Sequence, residues 1–129
     1  MKTTMLTDIG RWIFAITFIM GGLLHVTGPQ FAAAQVPDFF GYPIFWVYVT
    51  GIAQFAFAAS AILRKHDQLA GIMLFFMMLV FIFTIHIPTA AAGDFMGVIS
   101  IMRDTGYAGA ALFYAGSVAQ DPILAYRPV

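Results

Sequence analysis

Five polar side chains lie within or at the ends of otherwise apolar segments, and they are the residues most able to do chemistry. They are His25, Gln54, His86, Arg103 and Asp104. An imidazole exchanges protons near pH 7, a guanidinium stabilises negative charge, and a carboxylate can relay a proton. The glutamine amide donates and accepts hydrogen bonds without titrating. Side chains of these types are suited to binding an oxygen-bearing ligand and exchanging protons with it.

The composition of the chain indicates where these side chains must lie. Of its 129 residues, 61% are hydrophobic and 9% are charged. An ordinary soluble domain has about 25% charged and about 45–50% apolar residues, so the surplus apolar surface here is expected to face lipid. A charged side chain at the centre of a membrane helix costs roughly 2.5–3.5 kcal/mol on insertion scales, and it therefore needs a partner or water. The polar residues are accordingly expected to meet inside an integral membrane protein.

Charge and cysteine content exclude several classes of function. The formal net charge is zero and no basic stripe is present, so nucleic-acid binding is not expected. The chain has no cysteine, which removes disulfides, iron–sulfur clusters, zinc–thiolate sites and thiol nucleophiles. No metal site is predicted. Redox chemistry would therefore depend on a cofactor or on a partner subunit.

Apolar segments long enough to cross a bilayer predict the fold. A span needs about 20 predominantly apolar residues. The predicted spans are residues 9–26, 44–63, 69–88 and 95–119. The first segment resembles a secretory signal, but Gly28-Pro29 separates it from the alanine cluster at 32–34, so we expect it to be retained. The predicted fold is an all-α, integral membrane four-helix bundle, formed by a single domain over residues 1–129.

The fourth segment admits two interpretations. Its purely apolar part, residues 106–119, is too short to span, and extending it back to Phe95 brings Arg103 and Asp104 into the membrane. Alternatively the helix breaks at Asp104, which would cap a helix beginning at Thr105, and residues 95–102 form a re-entrant or interfacial piece. The sequence alone leaves this choice open.

The distribution of lysine and arginine predicts the orientation, because these residues favour cytoplasmic loops. Lys2 and Arg11 lie at the N-terminal end, and Arg127 follows the fourth span. Arg64 and Lys65 connect the second and third spans, whereas the first and third connections contain neither residue type. Both termini are therefore predicted to be cytoplasmic, in a multi-pass protein of the bacterial inner (plasma) membrane.

In this topology the five polar residues come from four helices and converge on the outer half of the bundle. Arg103 and Asp104 are turned by about 100° from each other, so we expect each to pair with another helix. Every one of the five also has a structural interpretation, in which the histidines meet interfacial water and Gln54 only bonds across helices. Helical spacing further predicts two polar and aromatic stripes, Arg11/Phe18/Gly22/His25 and Trp46/Thr50/Gln54/Phe57.

Glycine and polar patterns in the first two spans resemble the DoxX-like family of small bacterial membrane proteins. The resemblance implies a four-helix membrane fold and, in several members, association with oxidoreductase systems that deliver electrons to the quinone pool. At the position of Gln54 the family commonly has an acidic residue, and an amide cannot take over proton transfer. The matching residues are Gly10-Arg11, Gly21-Gly22-Leu23-Leu24-His25, Gly28-Pro29, Val36-Pro37 and Tyr48-Val49-Thr50-Gly51-Ile52-Ala53-Gln54.

The leading functional hypothesis is a membrane subunit associated with an oxidoreductase system and linked to quinone. His25 and His86 would donate hydrogen bonds or shuttle protons, Arg103 would stabilise an anionic semiquinone or quinol, and Asp104 would relay the proton. The alternative is a non-catalytic membrane anchor or assembly subunit. Less favoured hypotheses are a b-type haem held by His25 and His86, and transport of a small solute. Expected partners are the lipid bilayer and either other membrane subunits or a second copy of the chain.

Overall fold

Residues 4–123 are described by a computed structural model, and this part of the chain contains five helices and no strand. α1 begins after Thr4, whose hydroxyl accepts a hydrogen bond from the N–H of Thr7 at 3.2 Å. A single 3-10 turn, Asp38–Phe40, lies between α2 and α3, and α5 continues into a π turn, Tyr114–Val118. The helices are α1 (Met5–Thr27), α2 (Pro29–Ala33), α3 (Pro43–Leu63), α4 (Asp67–Ala91) and α5 (Phe95–Phe113).

Three of these helices, α1, α3 and α4, are long and apolar enough to cross a membrane. At most 33% of the residues in their most apolar windows are buried inside the molecule. The remaining apolar surface needs an apolar environment, which is consistent with a membrane protein. α5 is not among the three, although the sequence analysis predicted a fourth span there. Lys2 and Arg127, used above to predict the orientation, lie outside the described residues.

α5 runs without a break through Arg103 and Asp104. The alternative interpretation, in which the chain breaks at Asp104 and that residue caps a new helix, is therefore wrong. The N-cap of α5 is Asp94, whose Oδ1 accepts a hydrogen bond from the N–H of Met96 at 2.9 Å. The physical reason is that Asp94 follows Gly93, where a positive φ of 92° ends α4 and lets α5 start.

α4 contains a π turn at Ile82–His86, where the N–H of Ile87 bonds to the carbonyl of Ile82. Pro88 accounts for this irregularity, because proline has no N–H to offer the carbonyl of Thr84 and its ring clashes with that carbonyl in a regular helix. The wider turn accommodates the proline inside a continuous helix. It also places the residue at its end, His86, in the interior, where it is 6% exposed.

Glycines allow the helices to approach closely at two crossings. α1 and α3 meet where Gly21 faces the Gln54 amide and Gly51 faces the Cβ of His25, so each helix makes room for a polar side chain of the other. α4 and α5 meet where Gly97 lies against the backbone of Ala90. These contacts decide which side chains face the space between the two helix pairs.

An aromatic cluster fills the middle of the molecule. The ring of Phe18 packs edge-on against those of Phe14, Phe57 and Tyr107, with centroids 5.2–5.4 Å apart, and Phe57 packs against Tyr114 at 5.7 Å. Such edge-to-face pairs contribute about 0.5–1.5 kcal/mol each beyond the area that they bury. The cluster separates polar groups at one end of the helices from those at the other.

Asp67 organises the end of the molecule where α4 begins. It is fully buried, and its carboxylate accepts hydrogen bonds from Tyr114 Oη at 3.1 Å and from the N–H groups of Gln120 and Asp121 at 2.9–3.1 Å. Arg11 lies at the same end, where it donates to the carbonyl of Ala61 at 3.0 Å. Although the sequence predicted Arg11 on the stripe of His25, it therefore closes the opposite end of the molecule.

Candidate functional site

A cavity of about 1460 Å³ lies between the helices at the end opposite Asp67, and its lining is mostly apolar. Ligand pockets usually measure about 300–1,000 Å³, so this one can hold a ring compound together with part of an apolar tail. All five residues singled out in the sequence contribute to the lining: His25, Gln54, His86, Arg103 and Asp104. Their roles toward a ligand remain predictions.

A buried pair of side chains, His86 and Asp104, forms the most polar part of the cavity wall. His86 Nε2 lies 2.9 Å from Asp104 Oδ2, and the two residues are 6% and 2% exposed. The other carboxylate oxygen, Oδ1, accepts a hydrogen bond from Arg103 Nε at 2.7 Å. The guanidinium and the imidazole therefore bind opposite oxygens of one buried carboxylate, and the carboxylate orients the imidazole.

The expectation that Arg103 and Asp104 pair with other helices is wrong for the arginine. The long guanidinium side chain folds back along α5 to reach its neighbour, which compensates for the 100° between the two Cα–Cβ directions. As a result Asp104 is the buried member of the pair, while the Arg103 side chain is 51% exposed. Asp104 does contact another helix, through His86 of α4.

His25 presents a second imidazole to the cavity from α1. Its Nδ1 lies 2.8 Å from the carbonyl oxygen of Gly21, one turn earlier. A carbonyl oxygen only accepts hydrogen bonds, so Nδ1 carries the proton and Nε2 is left as an acceptor when the ring is neutral. The residue is partly buried, as expected for a side chain near the end of its helix.

Gln54 is a polar residue of the cavity wall whose amide has no hydrogen-bond partner among residues 4–123. It is 5% exposed, and none of the hydrogen bonds among residues 4–123 involves its amide. The amide atoms are not completely buried, because the one fully buried side-chain nitrogen or oxygen without a partner among residues 4–123 is Arg64 Nη1. Its position beside Gly21 follows from the α1–α3 crossing described above, since a Cβ at Gly21 would lie 2.1 Å from Gln54 Oε1. The amide is thus free to bind a ligand with both its donor and its acceptor.

The sequence analysis missed several residues of the cavity wall. Tyr107 and Ser100 on α5 line it, as does Gln35 in the connection between α2 and α3. Trp46 also lines it and donates from Nε1 to the carbonyl of Phe40 at 3.3 Å. The predicted stripe of Trp46 and Gln54 was a usable signal for the tryptophan. Tyr107 also had a signal, because it lies four residues after Arg103 and shares its helix face. No comparable signal marked Ser100 and Gln35, because their place depends on how α5 and the connection pack.

The arrangement can hold a ligand oxygen and move a proton. His86 has a carboxylate on one ring nitrogen and faces the cavity, which is the geometry of a general base or acid. Among residues 4–123 no group of three or more histidine, aspartate or glutamate side chains is placed to hold a metal ion. Axial ligation of a haem through His86 Nε2 would break the hydrogen bond to Asp104.

A family model provides the comparison with known proteins. The model described as Domain of unknown function (DUF8561) matches residues 14–108. This chain belongs to the DUF8561 family. The DUF8561 match contains all five cavity residues predicted from the sequence, whereas Arg11 and Tyr114 lie outside it. No curated protein and no solved structure matches the chain.

Proposed function

We propose that this DUF8561 protein is a four-span protein of the bacterial inner membrane that binds a quinone in its cavity, as a subunit associated with an oxidoreductase system. The observation that carries the proposal is the pairing of a buried proton-exchanging group, His86 with Asp104, and an unsatisfied amide, Gln54, on the wall of one large apolar cavity. A quinone and its quinol fit this wall because they combine an apolar ring with two oxygens that take up protons on reduction and release them on oxidation.

The geometry of α5 supports a fourth span. α5 has 19 residues and the π turn that continues it has 5, and together they extend about 36 Å at 1.5 Å per residue. The hydrocarbon core of a bilayer is about 30 Å thick. Asp104 is the most buried charged residue in the middle of α5. It is paired with His86, so the burial of Asp104 does not leave an isolated charge in lipid.

The distribution of basic side chains supports cytoplasmic termini. Three of the four lysine and arginine residues within 4–123, namely Arg11, Arg64 and Lys65, lie at the end of the molecule where Asp67 is buried. The fourth, Arg103, lies with the cavity toward the other end, where it is paired with Asp104. Basic residues accumulate on the cytoplasmic side of membrane proteins. With this orientation the cavity occupies the outer half of the bundle.

The size and lining of the cavity support a quinone more specifically. The wall includes the aromatic side chains of Phe18, Trp46 and Tyr107, and the volume is large enough for a ring together with the first units of an isoprenoid tail. The resemblance to the DoxX-like family supports an electron-transferring partner, because several members of that family are associated with oxidoreductase systems. Electrons would reach the ring from that partner.

Tryptophan fluorescence tests the proposal directly, because only one of the two tryptophans lines the cavity. The protein is reconstituted in nanodiscs and titrated with a short-chain ubiquinone or menaquinone, which quench tryptophan. In the Trp12→Phe variant, the remaining Trp46 should be quenched with a saturable binding curve. In the Trp46→Phe variant, Trp12 is exposed and stacked beside Arg11 at the opposite end, so it should report only unsaturable collisions in the bilayer.

The same titration distinguishes quinone binding from non-specific partitioning. Saturable quenching of Trp46 should weaken when Gln54 is replaced by leucine, which keeps the volume but removes the amide. Linear quenching of both tryptophans with equal slopes would overturn the proposal. So would a Trp46 binding curve that the Gln54→Leu change leaves unaltered, if in addition no quinone can be extracted with the protein from native membranes.

The alternative function, a non-catalytic anchor or assembly subunit, has one observation in its favour. The His86–Asp104 hydrogen bond joins α4 to α5, and a bond of this kind can have a purely structural role, holding two helices together. This alternative predicts that the protein co-purifies with a larger complex whose turnover is unchanged in an Asp104→Asn variant. Loss of electron transfer with the complex still assembled would decide against it.

A further inference from the structure

The hydrogen-bond partners of the two cavity histidines determine which ring nitrogen of each carries the hydrogen. Arg103 Nε donates to one oxygen of the Asp104 carboxylate, and a carboxylate has no hydrogen to donate, so the other oxygen can only accept. His86 Nε2 must therefore carry a hydrogen, and Nδ1 of the neutral ring has a lone pair. His25 is held in the opposite tautomer, because its Nδ1 donates to the carbonyl of Gly21. In that ring Nε2 has the lone pair.

Both histidines line the cavity, and each has one ring nitrogen without a protein partner. Neither His86 Nδ1 nor His25 Nε2 has a hydrogen-bond partner among residues 4–123. In that part of the chain the one buried side-chain nitrogen or oxygen without a partner is Arg64 Nη1, so the two imidazole nitrogens are not sealed off. The two helices α1 and α4 thus each contribute to the cavity wall one histidine with an acceptor nitrogen, on rings that their partners prevent from changing tautomer.

We propose that the cavity binds the reduced, dihydroxy form of the quinone, the quinol, in preference to the oxidised form. This inference rests on the function proposed above and names the redox state that the site selects. A quinol carries two hydroxyl donors, which match the acceptors His86 Nδ1 and His25 Nε2. A quinone carries two carbonyl acceptors, which would face the lone pairs of the same nitrogens without a hydrogen between them.

Asp104 reinforces the preference at His86. When a quinol hydroxyl gives its proton to Nδ1, the ring becomes an imidazolium, and the carboxylate at 2.9 Å from Nε2 stabilises that charge. The proton moves from the hydroxyl oxygen to the nitrogen and leaves a quinol anion, which the half-exposed Arg103 guanidinium can reach as a counter-ion. No electron moves in this step, so selection of the quinol does not depend on a redox partner.

Gln54 does not select between the two forms, because its amide can donate to a carbonyl or accept from a hydroxyl. It accounts for binding of the ring in general, and the two histidines account for the discrimination. The contributions of these residues can therefore be separated by mutation.

The test compares the dissociation constants of the two redox forms of one short-chain quinone for the protein in nanodiscs under anaerobic conditions. We expect the quinol to bind at least about tenfold more tightly than the quinone. By linkage, a tenfold ratio raises the two-electron midpoint potential of the bound compound by about 30 mV relative to the same compound in empty nanodiscs. A control that involves no redox change compares the hydroquinone with its dimethyl ether, which cannot donate a hydrogen bond, and the ether should lose the tenfold advantage.

An Asp104→Asn variant tests the assigned tautomer. Arg103 Nε turns the oxygen of the new amide toward itself, so the amide NH₂ faces His86 Nε2, which must then accept. The hydrogen of the neutral ring moves to Nδ1, which becomes a donor toward the cavity. We expect the preference for quinol to disappear or to invert in this variant. The matched control is His66→Asn, because that side chain is exposed and lies outside the cavity.

The outcomes separate this inference from the function on which it rests. If neither form binds saturably, the quinone function itself fails. If both forms bind with equal affinity, or the quinone binds more tightly to the unmodified protein, a quinone site remains but the selection of quinol is wrong. A quinol preference that survives intact in a folded Asp104→Asn variant would likewise refute the assignment of the His86 proton.

Discussion

Replacing Gly21 by alanine isolates the contribution of the Gln54 amide to ligand binding. The added Cβ would lie 2.1 Å from Gln54 Oε1, which is the far end of a flexible side chain, so the amide moves while the backbone stays. Gly10 provides the matched control on the same helix, because a Cβ there meets nothing within 4 Å. Both changes alter the same helix by the same atoms, and only one of them displaces the amide.

The expected magnitudes follow from these contacts. A glycine-to-alanine change within a helix stabilises by about 0.8–1.0 kcal/mol, which Gly10→Ala should realise in full. At Gly21 the gain is offset by about 0.5–1.5 kcal/mol for moving the glutamine off its rotamer, so its thermal stability should stay close to that of the unmodified protein. Loss of one neutral hydrogen bond to the ligand costs about 0.5–1.5 kcal/mol, which raises the dissociation constant by about two- to tenfold.

Two measurements check this prediction: thermal unfolding in detergent, and the quinone dissociation constant from Trp46 quenching in the Trp12→Phe background. Gly21→Ala should weaken binding with little change in Tm, whereas Gly10→Ala should raise Tm and leave binding unchanged. Equal affinities in the two variants would refute the role given to the amide. A large fall in Tm for Gly21→Ala would show that the backbone, and not the side chain, yields to the new Cβ.

Two further predictions concern stability. In Gly97→Ala the Cβ would lie 2.4 Å from the backbone nitrogen of Ala90, which cannot yield. Overpacking of about 1–3 kcal/mol should therefore lower Tm relative to the control Gly109→Ala, whose Cβ meets nothing within 4 Å. Equal melting temperatures would contradict the close α4–α5 crossing. Tyr114→Phe removes one hydrogen bond to the buried Asp67 carboxylate and should cost about 1.5–3 kcal/mol. Asp67→Asn should cost more in the same melts, because it sets an NH₂ group against backbone N–H donors, and the reverse order would argue against a charged Asp67.

The positions of the helices could be predicted from the sequence to within a few residues. The predicted segments 9–26, 44–63 and 69–88 each lie inside one helix, and the segment predicted at 95–119 begins at the first residue of α5. Apolar length and terminating glycines and prolines are local properties, so they survive whatever the tertiary packing is. The choice between a continuous and a broken α5 was beyond this reasoning, because it depends on whether Asp104 finds a partner.

The polar residues that line the cavity were also identifiable, since a polar side chain in an apolar helix is conspicuous and must be accommodated. Their pairing was not. Whether Arg103 binds its neighbour or another helix depends on side-chain reach, and the burial of Asp67 depends on contacts with residues 47 to 54 positions away. Spacing along one helix contains no information on such contacts.

The amino-acid sequence alone therefore determined that the chain is helical and apolar enough for a membrane, and which few side chains had to avoid lipid, because hydrophobicity acts residue by residue. The tertiary structure alone decided which nitrogen of each histidine holds its proton and that Gln54 is left unsatisfied. Those properties depend on hydrogen-bond distances of about 3 Å, and only the crossing of α1 with α3 and of α4 with α5 sets distances on that scale.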